Sequence, residues 1–79
     1  MYNNELTRLV RNAENSYQFL REAKEQNNEI KYHYWMRALL FNISQIEKVM
    51  DLVEGMIAPE FAVDRNVYEK AQFFISLVK

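Results

Sequence analysis

The stretch YHYWMRALLFNISQIEKVMDLVEGMI, Tyr32 to Ile57, decides the fold of this 79-residue chain. Steps of alternately four and three residues pick out Tyr32, Met36, Leu39, Ile43, Ile46, Met50, Val53 and Ile57, and every one is apolar. An uninterrupted 3.5-residue period is the mark of a helix that buries one face against another helix. The predicted helix spans residues 29–56, about a third of the chain. Gly55, the single glycine, stands where a C-cap is wanted, and Pro59 cannot continue a regular helix.

A shorter version of the same pattern lies upstream. Leu6, Leu9, Val10, Ala13, Tyr17, Leu20 and Ala23 recur at helical spacing and make one amphipathic stripe. This predicts a first helix over residues 4–26, with Asn3 or Asn4 as the cap. Gln26-Asn27-Asn28 interrupts the pattern, and asparagine tolerates left-handed backbone, so a tight turn is expected there. Downstream, Val67, Ala71, Phe74, Ile75 and Val78 form the inner stripe of a third helix over residues 64–78. It is capped by Asp64, or by Asn66 with Glu69 in a capping-box arrangement. Phe61 and Val63, in the connection before it, are expected to tuck against the end of the bundle.

Residues 1–79 thus read as a single all-α domain: a long antiparallel helical hairpin plus a shorter third helix, a three-helix bundle expected to dimerise. The lengths set where the third helix reaches. At 1.5 Å per residue the second helix is about 42 Å long and the third about 22 Å, so the third covers only the C-terminal half of the second. On the uncovered half, Ile30, Tyr34, Ala38 and Phe41 form a second apolar stripe opposite the seam. Phe19 on the first helix, and Phe73 and Leu77 on the third, also point off their stripes. Large apolar side chains collected outside the intramolecular core mark an interface.

Composition narrows the function classes. Ten basic and eleven acidic residues are interspersed along the chain and leave a net charge of −1, which argues against nucleic acid as the main partner. Cysteine is absent, so there is no disulfide framework and no thiolate ligand or nucleophile, which favours a reducing, cytoplasmic setting. Met1-Tyr2-Asn3-Asn4-Glu5 is polar, so no signal peptide is expected, and the longest uncharged run, Ala38 to Ile46, is too short for a membrane span. With one glycine there is no phosphate-cradling loop. His33, the single histidine, has only Glu29 as a ligand-type neighbour, short of the three or four ligands a metal needs. Asn42-Ile43-Ser44 matches a glycosylation pattern but lies mid-helix.

The reading that follows is a small protein–protein interaction module without cofactor or catalytic residues. It would act by helix–helix packing as an inhibitor, adaptor, chaperone or regulatory subunit, with a protein partner or a second copy of itself, and bacterial or phage in origin. Its interface would be Phe19, Ile30, Tyr34, Ala38, Phe41, Phe73 and Leu77. Glu47, Asp51 and Glu54 share one helical face and form a possible acidic surface for a basic partner. Two rivals stand beside it. One is a DNA-binding regulator using Arg65, Asn66, Lys70 and Gln72 of the third helix. The other is a metal-dependent enzyme using the Glu47/Asp51/Glu54 face.

Overall fold

The computed structural model describes residues 2–56 and 63–79. It contains three helices, α1 (Tyr2–Glu25), α2 (Glu29–Glu54) and α3 (Arg65–Ser76), and no strand among the described residues. α1 and α2 form an antiparallel hairpin, and α3 folds back along the end of the hairpin where the chain begins. The result is a rod of 46 × 18 × 17 Å.

The hairpin turn is built by two adjacent asparagines with opposite tasks. Asn27 takes φ 55°, a left-handed conformation in which its N–H donates to Lys24 O at 3.1 Å. Asn28 N–H then reaches Ala23 O at 2.9 Å, which completes a Schellman stop for α1. The Asn28 side chain starts the next helix, its Oδ1 accepting from the Lys31 N–H at 3.1 Å. Two residues therefore reverse the chain and leave α1 and α2 in contact along their length.

The seam is the core. Leu39, Ile43, Ile46, Met50 and Val53 are buried, against Leu6, Leu9, Val10, Ala13, Leu20 and Ala23 of α1. Tyr32 and Met36, near the turn, are only half buried, because there the hairpin has two helices and no third layer. Ile57, the last seam position, lies outside the described residues, as do Pro59 and Phe61. Val63 is buried, as expected.

One part-buried side-chain hydrogen bond crosses the hairpin. Asn42 Nδ2 donates to Ser16 Oγ at 3.3 Å, and Ser16 is the only buried polar residue of the described chain. Both lie on the flank of their apolar stripes, so a slip of the two helices by a turn would separate them. The pair thereby favours one register.

Three local expectations are corrected. Asn3 does not cap α1, which already includes it; its Oδ1 accepts from the Asp64 N–H at 2.8 Å and ties the start of α3 to the start of α1. Asp64 is the cap of α3, accepting from the Asn66 N–H at 2.8 Å, so Glu69 is free to pair with Arg65 instead of closing a box on Asn66. α3 stops at Ser76, which leaves Val78 exposed in the final turn and not on the inner face.

Gly55 does cap α2, but with φ −78° and ψ −5°, an ordinary right-handed conformation open to any residue. A Cβ placed there would meet only the Asp51 and Leu52 carbonyl oxygens at 3.5 Å, an ordinary contact. Gly55→Ala is therefore expected to stabilise the chain by about 0.4–1 kcal/mol through the unfolded state, seen as a higher chemical-denaturation midpoint at unchanged slope. A lower midpoint would mean that the glycine serves a contact or conformation other than this one.

Candidate interaction surface

Most of the exposed large apolar side chains fall into two groups, on opposite flanks of the hairpin. The first lies toward the turn. Phe19 of α1 stacks on Trp35 of α2 with ring centroids 4.7 Å apart, and Tyr34 meets the same indole edge-on at 4.9 Å. Ile30, Tyr34, Ala38 and Phe41 continue outward along α2 and line one shallow groove together with His33 and Arg37. Ile30 is 85% exposed, and Tyr34 and Phe41 are each 64% exposed. α1 occupies the opposite side of α2, so nothing in the described chain covers this line.

The second group belongs to α3. Phe73 and Phe74 both meet Tyr17 edge-on, at 6.4 and 6.2 Å. Phe74 is buried by this contact, and Phe73 is left half exposed at the floor of a groove between α1 and α3. The groove encloses about 710 Å³ and is rimmed by charged side chains of both signs, Glu14, Arg21, Glu22, Glu25, Glu69 and Lys70. Leu77 is exposed just beyond the end of α3. Tyr17 and Phe19 explain the separation: two residues apart on a helix means about 200° of rotation, so the α3 flank and the Trp35 flank face away from each other. The seven side chains expected to form one surface are thus brought together as Phe19, Ile30, Tyr34, Ala38 and Phe41 on one flank, with Phe73 and Leu77 apart from them.

Sequence reading missed a residue that extends the first group. Leu52 is 55% exposed and lies eleven residues beyond Phe41, close to the same line of α2. Gln45 and Lys48 interrupt the apolar run between them, so the stripe looks finished at Phe41. The outward face of α2 in fact runs nearly end to end.

The acidic face is partly occupied by the chain itself. Lys79 Nζ lies 3.8 Å from Glu47 Oε2, over a small cleft of about 160 Å³ whose lining includes Asp51, Glu54, Gln72 and Ile75. Among the described residues, no three His, Asp or Glu side chains converge as a metal ion would need. The basic residues of α3 are also engaged: Arg65 Nε binds Glu69 Oε1 at 3.1 Å, and Lys70 Nζ lies 3.4 Å from Glu14 Oε2. Arg21 lies over the Tyr17 ring with its guanidinium 5.9 Å from the centroid. No described helix is long and apolar enough to cross a membrane.

Comparison with known protein families, curated proteins and solved structures yields no match for this chain.

Proposed function

We propose that this chain is a protein–protein interaction module that works as a homodimer in the cytoplasm, in an adaptor, inhibitor, chaperone or regulatory role. The observation that supports it is the outward face of α2, where Ile30, Tyr34, Phe41 and Leu52 each keep more than half of their surface in water. A domain of this size has only a small core, and leaving these large apolar side chains outside it is consistent with a second use for them. The uncovered position of the face matters as much as its composition. It lies opposite the seam, where none of the described helices covers it.

The rival readings draw less support. A recognition helix needs free cations along one face, and the Arg65–Glu69 and Lys70–Glu14 pairs place carboxylates among those of α3. Light scattering after size exclusion tests the proposal. The purified chain is expected to elute with twice the 9.6 kDa protomer mass at micromolar concentration. A mass of one protomer across the accessible concentration range would remove the homodimer and leave the face to a different partner.

A further inference from the structure

The outward face of α2 has a symmetry that specifies how two copies would meet. Ile30 and Leu52 each lie eleven residues from Phe41, and Tyr34 and Lys48 each lie seven residues from it. Seven and eleven residues are about two and three helical turns, so all five positions fall within about 20° of one line. Phe41 is also half a residue from the midpoint of α2, which runs Glu29–Glu54. A copy turned end over end about a two-fold axis at Phe41 would overlap the whole of α2 with the whole of its partner.

We infer that two copies of this chain pair antiparallel through the outward faces of α2, with the Phe41 rings meeting on the two-fold axis. The inference rests on the homodimer reading and adds its geometry. In this pairing Ile30 meets Leu52 of the other copy at each end. Tyr34 meets Lys48, whose aliphatic stem covers the ring while its ammonium sits at the ring face.

The helix dipoles favour this arrangement over the parallel one. Side by side in the same direction, Lys48 would face its own copy and the two dipoles would run in the same sense. Turned end over end, Lys48 faces Tyr34 and the dipoles oppose. The area is also sufficient. Complete covering of the exposed parts of Ile30, Tyr34, Phe41 and Leu52 in two copies would bury roughly 1,000 Å², the lower bound for a specific interface, to which flanking residues would add. Both α1 and α3 lie away from this face and do not obstruct it.

The absence of cysteine makes the test unambiguous, because any introduced thiol is the only one in its chain. On mild oxidation, Phe41→Cys alone is expected to form a covalent dimer. Ile30→Cys alone and Leu52→Cys alone are expected to stay uncrosslinked, since each thiol lies about 33 Å from its own copy. An equal mixture of the Ile30→Cys and Leu52→Cys chains, which keep Phe41, is expected to crosslink. Light scattering on the unmodified chain separates the two levels of the argument. A monomer there overturns the homodimer reading and this inference together. A dimer in which Ile30→Cys or Leu52→Cys crosslinks by itself is parallel, and it overturns the inference alone. A dimer in which neither the mixture nor Phe41→Cys crosslinks pairs through another face, and it also overturns the inference alone.

Discussion

Ile46→Ala is expected to lose about 2–5 kcal/mol of stability, the range for removing a large aliphatic side chain from a packed core. Ile46 is fully buried at the centre of the seam of α2, where it packs within the core shared with the stripe of α1. The three lost carbons leave a cavity that neighbours such as Leu6, Met50 and Val53, themselves almost wholly buried, have little freedom to fill. A chain of this length holds roughly 0.05–0.15 kcal/mol per residue, so the loss is a large share of the total. At about 4–8 °C per kcal/mol, the melting temperature is expected to fall by roughly 10–30 °C, measured by circular dichroism. Leu40→Ala, on an exposed flank of the same helix, is the control and should change stability by no more than about 0.5 kcal/mol. Equal effects at the two positions would mean that the seam is not the core.

Phe41→Glu is expected to have the opposite profile: little effect on the folded protomer and a large one on self-association. Phe41 makes no contribution to the buried core, and glutamate is a good helix former, so α2 should persist with unchanged helicity. At an interface centred on Phe41 the substitution removes two rings, each worth roughly 1.5–3 kcal/mol when buried. It also places two carboxylates against each other. Together these weaken association by at least about a hundredfold, enough to turn a micromolar dimer into a monomer under ordinary conditions. A Phe41→Glu chain that still scatters as a dimer would place the contact elsewhere, with the α1–α3 groove around Phe73 the next surface to mutate.

The elements were legible in sequence wherever one segment carried its own signal. The seam of α2, the stripe of α1 and the asparagine turn each follow from local spacing and local chemistry. Signals that depend on a distant partner were not legible. Asn3 reads as a cap for α1, but its side chain accepts instead from the backbone of Asp64, 61 residues away at the start of α3. Phe19 and Phe73 both read as surplus aromatics; which flank each occupies depends on the side of the hairpin that α3 takes, and no local pattern encodes that. Ser16 and Asn42 looked unremarkable because their pairing joins positions 26 residues apart. Leu52 was hidden for a different reason. Gln45 and Lys48 made the outer stripe look finished, although a lysine stem can itself cover apolar surface while its ammonium stays in water.

The central claim is that the outward face of α2 is buried by a second molecule of the same chain. The most direct measurement is the melting temperature as a function of protein concentration. A folded dimer that unfolds to separate chains gains stability by mass action, about 2.7 kcal/mol per dimer for a hundredfold rise in concentration. The melting temperature of the unmodified chain is therefore expected to rise by roughly 5–10 °C between 2 and 200 micromolar, concentrations of order chosen to span a micromolar dissociation constant. Phe41→Glu should melt at one temperature throughout. A melting temperature of the unmodified chain that does not move with concentration would contradict the account.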